Sequence, residues 1–540
     1  MCGIWAWIWG ANTLNGVDHQ QLWNAGVKTL TARGPEGHKW LDLSGSTWCF
    51  TRLAINGLNE GAMQPFNWGD GRWAWMCNGE IYNHKDLEET IPYLNVTGSD
   101  CEVLGALWER CDGDEVAFAR ALDGVFALVI YDSTLGEYIV ARDPYGVRPL
   151  YWFSDSNGVR FASERKALSP FVSGTTKIHE FPPGQIWRIS SNGVLLAQTT
   201  YHTVPWIKNP STNLFLLRNA LEEAVEKRVA NTERQVAALL SGGVDSSLIS
   251  ALVQKVGKRL GRPNLKTFSI GMEGGTDLKY ARMVAEHIGS DHTEVLVTPE
   301  EMFEAIPHVI RDIESYDITT VRASVGNWLV AKAIREKSDC KVVFNGDGSD
   351  EILGGYLYFR RAPSDFAFER ESERLLEEIH KYDVLRSDRC ISSYGLEART
   401  PFLDKQFVAV ARGYPTETRR PSEQLMEKNL LREAFEGQDV LPDAVLWRRK
   451  EAFSDGVSAQ EKSWFQIIQE FLQERKLVPE GWKEIAQEKG WIPQPPTEEA
   501  FYYRSLYEMN TKATGDYWPY WMPRWSPETN DPSARTLTLT

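Results

Sequence analysis

The first residues of the chain constrain its fold more than any other stretch. Apolar side chains fill both alternating sets of one short strand that follows a cysteine, with Ile4, Ala6 and Ile8 on one face and Trp5, Trp7 and Trp9 on the other. A strand that is apolar on both faces has to be covered on both sides. We therefore predict that the chain buries this strand and fixes Cys2 at the amino-terminal end of the strand.

Cys2 is a candidate nucleophile because of its place in the chain. Met1 is readily trimmed before a small residue, which would leave the Cys2 thiol and an α-amine on one residue. Such an amine titrates at about 7.7–8.0 and can accept the thiol proton, and the thiolate is the reactive form of sulfur. The same stretch is a poor signal peptide, since it has no basic region and Gly10 and Asn12 interrupt the apolar run.

Composition narrows the class of protein. A chain of 540 residues predicts two or three domains, and its net charge of −15 argues against a nucleic-acid surface. None of the seven cysteines forms a C-x-x-C pair, which favours a reducing compartment over a disulfide framework or a zinc site. No apolar run is long enough to span a bilayer. We predict a cytoplasmic homodimer that binds neither nucleic acid nor membrane.

The first 200 residues or so are rich in predicted strands. Turn signals separate short apolar runs, and two helices interrupt them: we expect helices at 20–32 and 102–111 and strands at 47–55, 73–77, 124–131, 138–142 and 149–153. Polar groups follow or precede these elements at Arg52, at Asn78-Gly79-Glu80 and at Asp100. Taken singly, Asn-Gly is a common hairpin turn, and Ser99 or Asp100 is a natural helix cap.

Together with Cys2, these groups suit an amide substrate that is also an amino acid. Its carboxylate would pair with the Arg52 guanidinium, and its ammonium with the carboxylates of Glu80 and Asp100. The Asn78 amide and the Gly79 N–H could stabilise a tetrahedral oxyanion.

Several motifs of this half resemble the class II glutamine amidotransferase domain: Cys2-Gly3-Ile4, Arg33-Gly34-Pro35-Glu36, Arg52-Leu53-Ala54-Ile55, Gln64-Pro65, Asn78-Gly79-Glu80-Ile81-Tyr82-Asn83 and Ser99-Asp100. The resemblance runs to about Glu164. It implies an α+β N-terminal-nucleophile αββα sandwich that hydrolyses glutamine to glutamate and ammonia. Glu36 stands where the family usually has Asp, at a position that is not a glutamine ligand.

The pattern changes after Pro182-Pro183-Gly184 and the polar stretch 208–212, which predict an inter-domain connection. A helix with one apolar face begins at Leu214, and strands and helices then alternate. We expect strands at 236–240, 265–270, 293–297 and 341–345, with helices following them, including 277–289 and 299–310. This alternation predicts an α/β domain with a doubly wound parallel sheet, whose ligands bind at the carboxyl ends of the strands.

Two glycine-rich stretches fall at such strand ends. In the first, Ser241–Ser247, small residues and the following helix would expose backbone N–H groups to a phosphate. It has no lysine, so it is not the common G-x-x-x-x-G-K-[ST] loop. Asp245 and Asp350 are candidate Mg²⁺ ligands together with substrate phosphates, although either could be a helix cap. Lys450 could neutralise phosphate charge or belong to a solvated basic run.

The Ser241–Ser247 loop is similar to that of the ATP pyrophosphatases, and further motifs extend the resemblance to glutamine-hydrolysing asparagine synthetases over nearly the whole chain. They are 239–247, 316–324, 348–351, 354–359, 395–404, 450–456, 523–525 and 531–535. The resemblance implies a glutaminase domain at 2–203 and a synthetase domain at 213–540. It also implies ATP as substrate and Mg²⁺ as cofactor.

Site residues carry over from this resemblance by position. It implies that catalysis involves Cys2, Asn78, Gly79 and Asp347, and that glutamine is bound by Arg52, Leu53, Ala54, Ile55, Asn56, Asn78, Gly79, Glu80 and Asp100. ATP would be bound by Leu239, Ser241, Gly243, Asp245, Ser246, Ile270, Asn345, Gly346 and Lys450. Thr319 and Arg322 would lie at or beside the aspartate site, and the metal would be held by Asp245 and Asp350. Asp347 replaces a common Glu and Asn345 a common Ser.

The implied reaction makes asparagine through β-aspartyl-AMP, with glutamine as nitrogen donor and AMP, pyrophosphate and glutamate as products. Two alternatives stay open from the sequence. One is a related enzyme that amidates another acid, or a β-lactam synthetase, although the intact Cys2 and glutamine residues argue against the latter. The other is a catalytically silent binding protein, against which the presence of Cys2, Asp245 and Asp350 argues.

Overall fold

The computed structural model describes residues 1–10, 18–69, 71–91, 96–206, 212–450, 457, 462–511, 518–527, 529 and 531–532. Most of the predicted polar connection, residues 208–211, lies outside these ranges. So do residues 451–456 of the motif that begins at Lys450, and residues 533–535 of the tail motif.

The N-terminal part contains two six-stranded antiparallel sheets, in the orders β10-β8-β9-β1-β3-β2 and β12-β11-β7-β6-β5-β4. The strands are β1 (Gly3–Trp9), β2 (His38–Leu43), β3 (Ser46–Thr51), β4 (Phe66–Trp68), β5 (Trp73–Ile81), β6 (Gly124–Asp132), β7 (Glu137–Arg142), β8 (Tyr151–Asp155), β9 (Gly158–Ala162), β10 (His179–Glu180), β11 (Gln185–Ser190) and β12 (Leu195–Thr200). The helices are α1 (His19–Ala25), α2 (His84–Thr90), α3 (Val103–Arg110) and α4 (Glu115–Ala121).

These elements form the predicted αββα sandwich. Between the sheets, Ile4 and Trp48 of the first pack with Met76 and Val129 of the second. The outer face of the first sheet is covered by α1 and the turn that follows it, and the outer face of the second by α3 and α4. Strand β1 is therefore covered on both sides, as predicted, with Ile4 facing the other sheet and Trp5 the helical layer.

The C-terminal part is built on a five-stranded parallel sheet in the order β15-β14-β13-β16-β17. The strands are β13 (Val236–Leu239), β14 (Lys266–Gly271), β15 (Asp291–Leu296), β16 (Val342–Phe344) and β17 (Glu397–Arg399). The helices are α5 (Leu214–Ala230), α6 (Val244–Arg259), α7 (Thr276–Ile288), α8 (Pro299–Ile313), α9 (Ile318–Lys337), α10 (Ser349–Leu353), α11 (Asp365–Glu378), α12 (Asp383–Ser392), α13 (Lys405–Arg412), α14 (Thr416–Arg419), α15 (Asn429–Phe435), α16 (Asp443–Leu446), α17 (Trp464–Glu474), α18 (Trp482–Glu488) and α19 (Glu498–Thr511).

Helices cover both faces of this sheet, which confirms the doubly wound prediction. Ala238 and Phe344 pack with α5, α6 and α13 on one face, while Ala237 and Val343 pack with α9 and α12 on the other. The strand order reverses between β13 and β16, so the carboxyl ends of these two strands form the switch point where ligands bind in such sheets.

Several local predictions need correction. The Asn78-Gly79 pair is not a hairpin turn, because β5 continues through it to Ile81. The helix expected at 20–32 ends at Ala25, and a 3₁₀ helix at Val27–Ala32 follows Gly26. The strand expected at 47–55 ends at Thr51, which leaves residues 52–55 as a loop. In the described part of the chain, no helix is both long and apolar enough to cross a membrane.

Candidate active sites

The Cys2 thiol lies just ahead of β1, against the loop that follows β3. Its sulfur donates to the Leu53 carbonyl at 3.5 Å and accepts from the Leu53 N–H at 3.4 Å. Burial raises the pKa of the thiol to about 11, and the positive charge of the neighbouring Met1 amino group opposes this shift. While Met1 is attached, the sulfur is therefore a thiol near neutral pH.

Met1 connects this site to the C-terminal part. Its side chain is buried with Ala237 and Val343 of the parallel sheet. Its amino group lies 3.4 Å from Glu397 Oε2, and burial lowers the pKa of that amine. Removing Met1 would free the Cys2 amine on the side of the thiol that faces the parallel sheet.

The predicted oxyanion donors lie on β5, beside its pairing with β6. Asn78 is fully buried, and neither its amide nitrogen nor its amide oxygen has a partner within the described part of the chain. A buried amide without partners costs free energy unless a ligand completes its hydrogen bonds. At Gly79, a Cβ atom would lie 2.2 Å from the Val125 carbonyl oxygen, so the close strand pairing requires glycine.

The predicted glutamine carboxylates, Glu80 and Asp100, are nearly fully buried and share one donor. Asn56 Nδ2 lies 2.9 Å from Glu80 Oε2 and 3.5 Å from Asp100 Oδ1, and the Ile81 N–H donates to Asp100 Oδ2 at 2.7 Å. Burial raises the pKa of both carboxyl groups. Ser99, not Asp100, caps the following 3₁₀ helix, so the Asp100 side chain is directed to this cluster.

Arg52 braces the loop that the resemblance assigns to glutamine. Its guanidinium donates to the Asn59 carbonyl at 2.9 Å and to the Gly57 carbonyl. Leu53, Ala54 and Ile55 are buried behind it.

The second site begins at the glycine-rich loop after β13. Gly243 caps α6, and Ser246 Oγ lies 2.9 Å from Ser241 Oγ and 3.1 Å from the Ser241 nitrogen. Gly242 has a φ of +75°, and a Cβ there would lie 2.5 Å from Tyr280 Cβ. The loop thus leads into a helix N-terminus, as phosphate-binding loops do.

This loop opens onto a cavity of about 290 Å³ at the switch point of the sheet. The structure brings every residue predicted for the synthetase site to its walls, namely Leu239, Ser241, Gly243, Asp245, Ser246, Ile270, Thr319, Arg322, Asn345, Gly346, Asp347, Asp350 and Lys450. They come from segments far apart in the sequence. This convergence supports one site for all of them, while the role of each stays a prediction.

Two carboxylates that line the cavity, Asp245 and Asp350, are paired with lysines. Lys428 Nζ contacts Asp245 Oδ2 and lies 2.6 Å from Asp350 Oδ1, and Lys450 Nζ lies 2.6 Å from Asp350 Oδ2. Burial alone would raise the pKa of Asp350, but the two ammonium groups hold it well below its ordinary value. Sequence reasoning missed Lys428, which lies outside every motif that was singled out.

Asp347 and Asn345, two further predicted residues of this site, are also held by hydrogen bonds and an ion pair. Arg386 Nη2 lies 3.2 Å from Asp347 Oδ1, and the Asp347 N–H donates to Asn345 Oδ1 at 3.3 Å. The pKa of Asp347 is raised by burial, which the charge of Arg386 opposes. Asn345 Nδ2 also donates to Ser387 Oγ at 2.5 Å.

Arg322 is held by two carboxylates from the end of the chain. Its Nη2 lies 2.6 Å from Glu499 Oε2 and 2.7 Å from Asp531 Oδ2. Trp521 and Pro532 also line the cavity, so the tail forms part of its wall. The Thr319 hydroxyl is buried and has no hydrogen-bond partner among the described residues. Sequence reasoning found neither Glu499 nor Asp531 as a partner of Arg322.

The donor set fits Mg²⁺ only in part. Among the described residues there is no cluster of three or more His, Cys, Asp or Glu side chains that could hold a metal. Asp245 and Asp350 nevertheless converge on a single ammonium group, so their oxygens are close together. Two carboxylates with phosphate oxygens and water make the type of site that Mg²⁺ uses.

The fold and the family models define a class: an N-terminal-nucleophile amidotransferase domain joined to an α/β synthetase domain. Residues 1–204 match the glutamine amidotransferase domain model, and residues 216–369 and 363–518 match the asparagine synthase model.

The chain is 40% identical over 566 residues to the Gallus gallus asparagine synthetase [glutamine-hydrolyzing], covering 99% of this chain and 98% of that one. It is 40% identical to the Homo sapiens protein of the same name over 570 residues, 100% and 99% of the two chains. Among solved structures, a glutamine phosphoribosylpyrophosphate amidotransferase from B. subtilis is 16% identical, with a TM-score of 0.33 over 55% of this chain and 91% of that one. On the sequence matches, the chain belongs to the glutamine-hydrolysing asparagine synthetase family, and it is a ligase.

Proposed function

We propose that this enzyme makes asparagine from aspartate, ATP and glutamine through β-aspartyl-AMP, releasing AMP, pyrophosphate and glutamate. The observation that carries the proposal is the cavity in which the loop at Ser241, the paired Asp245 and Asp350, and Arg322 line one space. Adenylation of an acid requires a loop that binds the phosphates of ATP, here Ser241–Ser247, next to a cation that binds the carboxylate of the acid, here Arg322.

The first step is hydrolysis of glutamine in the N-terminal part, residues 2–203. After removal of Met1, the Cys2 amine accepts the thiol proton, and the sulfur attacks the side-chain amide of glutamine. Asn78 and the Gly79 N–H stabilise the oxyanion of the tetrahedral intermediate, which would complete the unpaired hydrogen bonds of Asn78. The intermediate collapses when the Cys2 ammonium returns the proton to the leaving nitrogen, so ammonia departs and a thioester forms, from which water releases glutamate.

Glutamine is oriented by the groups around the nucleophile. Arg52 pairs with its carboxylate, and Asp100 and Glu80 take its ammonium. An ammonium between these two carboxyl groups would favour their charged forms, against the burial that raises the pKa of each. The loop 52–56 forms the rest of the pocket.

The second step is adenylation in the C-terminal part, residues 213–540. Leu239, Ile270, Asn345 and Gly346 bind the nucleoside, while the serines and glycine of the loop and Lys450 hold the phosphates. The aspartate side-chain carboxylate attacks the α-phosphorus, so pyrophosphate leaves and a mixed anhydride forms. Asp347 supports this step beside Arg386. Mg²⁺ held by Asp245 and Asp350 would neutralise phosphate charge when bound.

Ammonia passes inside the protein from Cys2 to the adenylate, where its attack gives asparagine and AMP. The position of Met1 supports such a passage, because Met1 is buried between the nucleophile and the parallel sheet. A cytoplasmic homodimer remains our prediction for the assembled enzyme.

The test is pyrophosphate release with ATP, Mg²⁺, glutamine and a panel of amino acids and other carboxylic acids. We expect release that depends on aspartate and matches asparagine formed mole for mole. Release with a different acid would keep the chemistry and change the substrate. No release with any acid would contradict the proposed enzyme.

A further inference from the structure

A short segment of the C-terminal part lies against the predicted glutamine loop. Residues Asn231, Thr232, Glu233 and Arg234, here called the clasp, join the end of α5 to the start of β13. The clasp was not among the site residues indicated by the sequence. It belongs to the same stretch of chain that, after β13, forms the phosphate loop.

The clasp bonds the backbone of the loop at successive residues. Arg234 Nε donates to the Ala54 carbonyl at 2.7 Å, and the Glu233 N–H donates to the Ile55 carbonyl at 3.1 Å. The Gly57 N–H in turn donates to Glu233 Oε1 at 2.6 Å. The loop therefore takes its shape from the C-terminal part as well as from Arg52.

The clasp also reaches one of the two predicted glutamine carboxylates. Asn231 Nδ2 donates to Glu80 Oε2 at 3.0 Å, and the Asn231 carbonyl accepts from Asn56 Nδ2 at 3.3 Å. Arg399 Nη2, on β17, lies 3.1 Å from the same Glu80 oxygen. Glu80 Oε2 is thus held by groups of both parts of the chain, which fixes the direction of its second oxygen.

Glu36 completes this connection. Its Oε2 accepts from the Ala54 N–H at 2.8 Å, and its Oε1 lies 3.0 Å from Arg234 Nη2. The side chain is longer by one methylene than the Asp expected at this position, and here it bridges the loop and the clasp.

The clasp itself is held in place. Asn231 N–H donates to the Lys227 carbonyl at the end of α5, and Arg262 donates to the carbonyls of Thr232 and Arg234. Asn231 and Thr232 are buried. A fixed segment that bonds a loop can set the geometry of that loop, because preorganisation lowers the cost of ordering it on binding.

We propose that the clasp is part of the glutamine site: Asn231 and Glu233 are positioning residues that fix the loop 54–57 and Glu80 for glutamine. The assignment rests on the proposed glutaminase function. Neither residue acts on the reacting atoms, so each acts on glutamine affinity rather than on the chemical step.

The experiment compares the full-length variants Asn231→Ala, Glu233→Ala and Glu233→Gln with wild type. Glutamate release is measured against glutamine concentration, and asparagine synthesis is measured with ammonia instead of glutamine. For Asn231→Ala and Glu233→Ala we expect the KM for glutamine to rise about tenfold, the effect of losing one hydrogen bond to a charged group, with kcat within about twofold of wild type. Glu233→Gln keeps an acceptor for the Gly57 N–H and should restore the wild-type KM.

Asn219→Ala is the matched control, because the Asn219 side chain donates to the exposed Glu223 on the surface of α5, away from the clasp. Ammonia-supported synthesis should be unchanged in every variant, which also reports correct folding. An unchanged KM for glutamine in both alanine variants would overturn the assignment. So would a parallel loss of ammonia-supported synthesis, which would mean a general structural role. Absence of glutamate release by wild type would instead overturn the proposed glutaminase itself.

Discussion

The two candidate sites of this enzyme differ in how their polar groups are satisfied. Around Cys2, the Asn78 amide is buried without a hydrogen-bond partner among the described residues, and the thiol makes two long contacts with Leu53. In the cavity of the C-terminal part, the carboxylates of Asp245 and Asp350 are paired with lysines. The buried amide of the first site is available to a substrate, whereas the two carboxylates of the second are already neutralised by lysines.

The difference follows from the charge of each proposed substrate. The reacting part of glutamine is a neutral amide, so a buried, preformed donor can accept it without moving another charge. ATP and aspartate are highly charged, and a cavity with uncompensated charges of either sign would be costly to bury. Ion pairs within the protein compensate the carboxylates of the second site. We therefore expect binding of a charged substrate there to exchange these pairs, whereas binding of the neutral amide at the first site needs no such exchange.

The sharpest test of this contrast separates the two sites completely. Cys2→Ala removes the nucleophile and leaves the cavity intact, so glutamine-supported synthesis should fall by about 10⁴-fold or more. Ammonia-supported synthesis should stay within about twofold of wild type. The measurement is asparagine formation with each nitrogen source. Equal loss with both sources would show that Cys2 also supports the second site.

Because the Asn78 amide has no hydrogen-bond partner among the described residues, we expect its loss to lower glutaminase activity without lowering the stability of the fold. Asn78→Ala should lower kcat for glutamine hydrolysis by about 10²–10³, the usual effect of removing one oxyanion donor. It should change the melting temperature little, because the amide has no hydrogen bond to lose among the described residues. Kinetics and calorimetry on the same preparation check both parts. A clear drop in melting temperature would mean that Asn78 is structural.

The paired state of Asp350 predicts the opposite combination. Asp350→Asn leaves Lys450 without its carboxylate and Lys428 with Asp245 alone, so both pyrophosphate release and stability should fall. We expect release about 100-fold lower, and a loss of about 1–3 kcal/mol in the free energy of unfolding, as for a broken charged hydrogen bond. Glutamate release should be unchanged. A variant as stable as wild type would show that the ion pairs of Asp350 contribute nothing to stability.

The sequence indicates the local motifs of both candidate sites but not the remote partners of their residues. Some site residues can be recognised from the sequence because their neighbours complete the motif. These are Cys2, Asn78-Gly79-Glu80 and the loop at Ser241. The partners are remote: Lys428 is 183 residues from Asp245, and Asp531 is 209 residues from Arg322. A lone lysine or aspartate has no local pattern that distinguishes it from a solvated charge. Asn78-Gly79 shows the reverse case, since local turn preference was overridden by pairing along β5.

The ion pair between Arg322 and Asp531 tests how the tail takes part in the cavity wall. Asp531 is partly exposed where it meets Arg322, and Glu499 on the other side of the guanidinium is buried. Because Glu499 still pairs with the guanidinium, Asp531→Asn should raise the KM for aspartate only about two- to fivefold, with kcat and glutamate release unchanged. The expected cause is that the tail residues Trp521 and Pro532, which line the cavity beside the predicted aspartate site, are held less tightly without the Asp531 carboxylate.

The direction of that change matters more than its size. A higher KM would mean that Asp531 holds the wall in place while Arg322 serves the site beside it. A lower KM would mean that the Asp531 carboxylate competes with aspartate for Arg322, so that this pair, like the lysine pairs, is exchanged for a ligand. Steady-state titration of aspartate with ammonia as nitrogen donor distinguishes the two, because it leaves the glutamine site out of the measurement.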